Sequence, residues 1–343
     1  MKAGVKVCEG SGNFEVKEID VPTLRDDDLL IEIKTAGVCG ADVLLYEWTY
    51  RGRFPVETPI VLGHECAGIV TQIGKNVKGF KKGDRVTTES ILGCGHCYYC
   101  QQGMTNLCPQ WDHVGITFNG TFAEYMRIPA RAAHHLPDNV TFEQGALVEP
   151  LSIAVHTFDR IRFSLGDTVV IIGPGVIGLL ITQAARSYGA SKIIALGLEQ
   201  DQSRLEKMKK LGADVTIVSD QCDPVKEIME LTNGIGADVV IEAGGTPEAF
   251  NLSYQMVRGG GQIAALGYSN DGRLEPIILA RQEISLLGLV AFTSKHFVGA
   301  IKWLETGKVS MDPLISHRLS LDEAEKGIQL MRDKQATKAI LSL

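Results

Sequence analysis

The sequence has no run of about 18 uncharged apolar residues, and no block of like charge longer than Asp26-Asp27-Asp28. The first absence excludes a membrane-spanning helix. The second excludes an extended surface for nucleic acid or anionic lipid. Repeats and low-complexity segments are also missing, and Met1 to Gly10 carries two lysines and a glutamate without an apolar core. No secretory signal is therefore expected, and the chain is expected to be cytoplasmic. What is present is ordinary globular material: 45% hydrophobic residues, 22% charged residues and a net charge of −7. That composition rules out disorder. At about 150 residues per domain, a chain of 343 residues suggests two domains.

Eight cysteines occur, and four of them fall within fifteen residues: Cys94, Cys97, Cys100 and Cys108. With no signal for secretion, this clustering points to a metal rather than to disulfides. Four thiolates in one glycine-rich loop satisfy tetrahedral zinc and leave no coordination position open, so the site is expected to be structural. His96 inside the loop is a rival ligand, and an iron–sulfur cluster would accept the same spacing.

Residues 1 to about 148 read as β-structure, with short apolar runs such as Leu29–Ile33 and Gly68–Ile73 broken by turn clusters. A long helix is expected over Phe142–Phe158. From Thr168 strands alternate with helices: strands at Thr168–Ile172, Lys192–Leu196, Val215–Val218, Ala237–Glu242 and Gly261–Leu266, with helices between them. This alternation predicts an α/β parallel sheet covered on both faces. Two further helices, 296–307 and 321–332, and a final strand Lys338–Leu341 close the chain.

The first of these strands runs into Gly173-Pro174-Gly175-Val176-Ile177-Gly178, a G-x-G-x-x-G turn that opens a helix. Its glycines allow a tight turn, close approach of backbone to a pyrophosphate, and close helix–strand packing. Gly173, Gly175, Val176, Ile177 and Gly178 are thus candidate dinucleotide contacts, joined by Ala243 and Leu266 at the carboxyl ends of later strands. The second strand ends in Gly197, where an acid usually holds the adenosine ribose. A glycine leaves room for the 2′-phosphate of NADP, and Arg204 is the first basic residue beyond it. Glu199 and Asp201 would repel that phosphate, so the balance favours NAD, with NADP open.

Cys39 in Gly-Val-Cys-Gly-Ala-Asp, His64-Glu65 in Gly-His-Glu-Cys-Ala-Gly, and Glu149 in Val-Glu-Pro are dispersed, and their spacing alone does not join them. Together with the four-cysteine loop and the dinucleotide turn, in this order, they resemble the zinc-containing medium-chain dehydrogenase/reductase family over essentially the whole chain. Gly83-Asp84-Arg85-Val86 and Gly120-Thr121-Phe122-Ala123-Glu124-Tyr125 add to the resemblance. It implies a GroES-like β-barrel catalytic domain (1–150, with the zinc lobe at 93–109, and 291–343) interrupted by a Rossmann domain (151–290). It also implies a catalytic zinc on Cys39, His64 and a carboxylate, giving two zincs per chain. Glu149-Pro150 resembles the polyol (sorbitol) and threonine dehydrogenase branch; Glu65 and Glu149 remain alternatives for the metal, and Asp42 is implied as the acceptor for the His64 ring N–H.

Two residues depart from the family pattern. Ala41 stands where a hydroxyl residue usually starts a proton relay, and Leu44 stands where threonine dehydrogenases place a histidine. A route through zinc-bound water and Glu65 or Glu149, or through the substrate's own hydroxyls, is expected instead. Tyr46, Trp48, Arg51 and Arg53 form an aromatic and guanidinium loop suited to sugars or anions, with His113 and Phe118 as further substrate candidates. His134 and His135 are expected at the surface, and His156 is expected to be structural. The reading is hydride transfer between a polyol or sugar-derived secondary alcohol and NAD(P). Its rivals are a sugar-phosphate or sugar-acid dehydrogenase, a threonine-type amino-alcohol dehydrogenase and, more remotely, a non-catalytic nucleotide-binding relative. A homo-oligomer, tetramer or dimer, is expected, with Gly288–Phe292 as an apolar edge for pairing.

Overall fold

In the computed structural model, which describes every residue except 51–54, 268–270 and 274, the chain divides into two compact units. One comprises Met1–Ser152 and Phe292–Leu343, the other Ile153–Ala291. Among the described residues no helix is long and apolar enough to cross a membrane.

The first unit is built on β-structure. Its longest strand, Asp28–Gly37, pairs antiparallel with Glu65–Ile73, with Tyr125–Pro129 and with the terminal strand Lys338–Ser342. The sheet extends through Arg85–Thr88 to Ala133–His135 on one side and to Ile315–Ser320 on the other. A second sheet joins Phe14–Glu18, Lys2–Lys6 and Ile60–Val61. Their apolar faces meet in one core that includes Val5, Leu29, Ile31, Ile33, Val70, Val86, Phe122, Ile128 and Leu341. Burial of such side chains contributes roughly 1.5–3 kcal/mol each. The C-terminal strand is therefore an interior member of this unit, with Ile340 opposite Gly37 and Leu341 opposite Ala36.

The expected long helix over 142–158 is interrupted. Phe142–Ala146 forms a first helix, fixed by a capping box in which Thr141 Oγ1 accepts from Gln144 N and Gln144 Oε1 accepts from Thr141 N. A new helix then runs Val148–Arg160. The break has a physical cause in Pro150: without an N–H and with a ring that would strike the preceding turn, it is tolerated only near a helix start. Short helices at Gly40–Tyr46 and Tyr98–Gln101 also interrupt what the sequence suggests is β-structure.

The second unit carries a six-stranded, wholly parallel sheet. Its order is Val215–Val218, Lys192–Gly197, Thr168–Ile172, Ala237–Glu242, Val257–Ala265, Ser285–Gly288. In chain order this is 3-2-1-4-5-6, the doubly wound arrangement whose strand order reverses beside the first strand. The central strands are near-continuous runs of Val, Ile and Ala, as a sheet covered on both faces requires. The edge strand is Ser285–Gly288 rather than the expected 288–292 segment. The strand ends at Gly288, and Ala291 takes a left-handed conformation (φ 49°), which extended pairing does not tolerate.

Candidate metal and cofactor sites

The four-cysteine loop is made by turns. A two-stranded ribbon, Ile91–Leu92 with Asp112–His113, brings its ends together. Between them Cys94, Cys97, Cys100 and Cys108 place all four sulfurs within 4.8 Å of one another. Cys94 and Cys100 sulfurs are 4.0 Å apart, and those of Cys97 and Cys108 are 3.7 Å apart. A tetrahedron with metal–sulfur bonds of about 2.3 Å has edges of about 3.8 Å, so the set fits zinc. The backbone N–H groups of Cys94 and Gln110 donate to Cys108 Sγ, the support a thiolate needs. Backbone N–H donation, from His96 first, brings the Cys94 thiol down to about 6, while desolvation pushes Cys100 up to about 12. His96 lies outside the group: its Nδ1 meets the Cys94 carbonyl on the exposed side.

The dispersed residues converge through strands and turns. Cys39 precedes the helix Gly40–Tyr46, and His64 and Glu65 lie where the strand Glu65–Ile73 begins. Asp42 ties the two together, for it is fully buried and its carboxylate accepts from Cys39 N (2.8 Å) and Gly63 N (3.0 Å). Donor atoms of Cys39, His64 and Glu65 then lie within 4.8 Å of one another. The expected bond from the His64 ring to Asp42 is not made; the nearest approach is 3.7 Å, and Nδ1 stays buried without a hydrogen bond. Burial disfavours the charged imidazole, but Cys39 and Asp42 outweigh it and hold His64 well above 6.5. A sulfur, an imidazole and a carboxylate in an anionic pocket suit zinc, with a fourth position left open.

The two glutamates have different surroundings. Glu65 faces Lys338, a buried ammonium on the terminal strand that donates to Glu65 Oε1 (2.6 Å) and to the Val38 carbonyl (2.9 Å). Glu149 stands outside the close group and accepts from Ser90 Oγ at 2.7 Å. Burial, then the neighbouring Glu65 charge, raise the Glu149 carboxyl against the pull of His64. Neither Lys338 nor Ser90 is detectable from sequence motifs, because each reaches its glutamate across a long stretch of chain.

In the second unit, the sheet reverses order beside the first fingerprint glycine. Gly173 (φ +104°) packs so closely on the turn after the fourth strand that a Cβ would stand 2.7 Å from Gly244. Gly178 presses on the Gly173 carbonyl, whereas Gly175 has open space on its Cα. Gly175 caps the helix Val176–Ser187 with no side-chain cap, so the first-turn N–H groups near Val176 and Ile177 remain available to an anion. Ala243 and Leu266 sit at the carboxyl edge, bonded to Ile172 and Glu242 carbonyls. Gly197 ends its strand with Pro174 against its Cα. Glu199 is exposed, and Arg204 is bound to buried Asp201.

Residues 25–138 match the alcohol dehydrogenase GroES-like domain, and residues 176–306 match the zinc-binding dehydrogenase domain. The chain belongs to the zinc-binding dehydrogenase family. It is 37% identical to a sorbitol dehydrogenase of Halalkalibacterium halodurans, covering 100% of this chain and 99% of that protein. It is 36% identical to an L-threonine 3-dehydrogenase of Bacillus velezensis, covering 99% and 98% respectively. A Sinorhizobium meliloti 1021 protein, described as a zinc-binding dehydrogenase and solved with NADP, superposes with a TM-score of 0.93. The two are 33% identical over 100% of this chain and 99% of that one. This dehydrogenase is accordingly an oxidoreductase that uses zinc and NAD(P).

The expected substrate residues of the dehydrogenase fare unequally. Tyr46 is buried, and its hydroxyl donates to Glu325, so it serves the unit's own packing. The Trp48 ring lies 5.4 Å from the Lys6 ammonium, itself held by the Tyr46 carbonyl. Phe118 packs against the apolar core. Arg51 and Arg53 lie outside the described residues. Among the described residues of the set, His113 stands beside His64, with ring centroids 5.1 Å apart. Burial and then His64 lower its imidazole to about 3. His134 is not the surface residue expected; its Nε2 meets the Glu89 carboxylate at 2.7 Å and its ring packs on Phe297. His156 is structural, bonded to the Ala291 carbonyl at 2.8 Å.

Proposed function

We propose that this dehydrogenase oxidises a secondary hydroxyl of a polyol, with NAD as the preferred acceptor. The observation that carries this reading is the company of Cys39 and His64: a carboxylate, Glu65, completes the close group, and a second buried carboxylate, Glu149, lies next to it. Cys39, His64 and Glu65 would hold the catalytic metal, and Cys94, Cys97, Cys100 and Cys108 a structural one. Lewis acidity toward the substrate oxygen is what the catalytic metal supplies when bound, as the nicotinamide supplies the hydride acceptor.

The chain's own residues do the rest. Asp42 locks the backbones that carry Cys39 and His64. Lys338 balances Glu65 and fixes its orientation. Glu149, oriented by Ser90, is the carboxylate placed to take the hydroxyl proton, since Ala41 has no group to pass it on. In the second unit the uncapped helix at Val176 and Ile177 receives the pyrophosphate. Glu199 accepts from the adenosine ribose hydroxyls, and the engagement of Arg204 by Asp201 disfavours a 2′-phosphate.

Reduced-nicotinamide absorbance with the zinc-loaded enzyme, NAD or NADP, and a panel of polyols, sugar phosphates, sugar acids and threonine tests the reading. A rise with neutral polyols and NAD is expected; a rise only with threonine or with phosphorylated sugars overturns it. We further propose a cytoplasmic homo-oligomer, dimer or tetramer, which light scattering of the purified protein would show.

A further inference from the structure

His113 is held in place by backbone, not by chance packing. The turn that follows it is closed by Ile116 N and Thr117 N donating to the His113 carbonyl, and by Thr117 Oγ1 accepting from His113 N at 2.8 Å. That turn is pressed on the strand entry that carries His64. A Cβ on Gly115 would stand 2.4 Å from the Gly63 carbonyl oxygen, and one on Gly120 would stand 2.1 Å from it. Gly120 N and Thr121 N complete the seam by donating to the Val61 and Gly63 carbonyls. The imidazole is flanked edge-on by His64 and by Trp111, the latter at 5.9 Å.

Its tautomer follows from one contact. Nδ1 lies 2.7 Å from the Val114 carbonyl oxygen, which only accepts, so Nδ1 carries the hydrogen. In the neutral ring Nε2 is then a bare acceptor. An acceptor held rigidly beside a metal-ligand candidate, with its one donor position already used, is suited to a hydroxyl that reaches it from a molecule seated at that group.

We propose that His113 Nε2 accepts a hydrogen bond from the hydroxyl on the carbon next to the one being oxidised, making this dehydrogenase selective for vicinal diols over mono-alcohols. The inference rests on the polyol reading above. His113 is a specificity residue here; it takes no part in the hydride step.

The test compares 2,3-butanediol with 2-butanol, which share a carbon skeleton and differ by one hydroxyl, using zinc-loaded wild type, His113→Phe and His113→Gln. Wild type should prefer the diol. His113→Phe should lose roughly 10- to 100-fold in kcat/KM for the diol, the range expected for a lost polar contact in a closed site. Its ratio of kcat/KM for the diol over 2-butanol should fall accordingly, while its zinc content and Tm match wild type. His113→Gln keeps an acceptor and should recover part of the diol preference. A wild type with no diol preference overturns the polyol reading, and this inference with it. A wild type that prefers the diol, with His113→Phe preserving the ratio, overturns this inference alone. Equal losses on both alcohols, accompanied by lost zinc or a lowered Tm, show a structural role and overturn it as well.

Discussion

The two candidate metal clusters of the first unit are assembled on opposite plans. The cysteine loop draws four half-exposed or buried sulfurs from one turn-rich segment and surrounds them with backbone N–H donors. The second cluster draws its donors from a helix entry and a strand entry, and leans on a lysine from the terminal strand. The first plan makes a closed, saturated centre that fastens its loop. The second makes an open centre whose parts are held by the whole unit, so a change at its margin is felt in stability as well as chemistry.

That contrast can be broken most sharply at the ligands themselves. Cys39→Ala or His64→Ala should abolish turnover, by about a thousandfold or more, because transition-state charge is left without its stabiliser. Metal analysis should fall from two zincs per chain to one while the fold persists. Retention of two zincs would break the assignment. Cys97→Ser should act the other way round, lowering Tm and exposing the loop to proteolysis, since structural zinc contributes folding free energy directly.

Lys338→Met should cost roughly 3–5 kcal/mol in denaturant unfolding, the range for leaving a buried charge uncompensated. Adding Glu65→Gln to it should recover most of that loss. A single variant as stable as wild type would mean that the ion pair has no such role. Glu149→Gln should reduce kcat by about 10- to 100-fold, within the range of general acid–base contributions, with a changed pH profile. Unchanged turnover and an unchanged profile would count against the glutamate route. The smallest effect is expected at Glu199→Gln, which should narrow the preference for NAD over NADP by about tenfold or less, read from the two kcat/KM values.

The same contrast explains how much of the molecule was legible in the sequence. Strands such as Thr168–Ile172, Val215–Val218 and Ala237–Glu242, and the helix Pro247–Met256, stand where apolar period and flanking turns place them. The cysteine loop is legible because its ligands are neighbours in sequence. Cys39, His64 and Glu65 are not neighbours, and only the family resemblance joins them before the strands do. The break at Leu147 is written in Pro150, but an apolar period running through 142–158 hides it. Lys338 carries no sign of its task, because an alternating terminal strand reads the same whether its lysine faces water or a buried glutamate. The engagement of Tyr46 by Glu325 is equally invisible, since it depends on a helix near the other end of the chain.

Pairing the terminal strand with Asp28–Gly37 carries a consequence for how the protein is made. Every candidate metal ligand has been synthesised once residue 149 leaves the ribosome, yet the sheet that seats them still lacks an interior strand and Glu65 still lacks its ammonium. The second unit, continuous in sequence, can complete its own sheet in the meantime. Completing this sheet therefore requires Lys338–Ser342, and a chain cut before Lys338 would be left with an open sheet edge and an unbalanced buried charge.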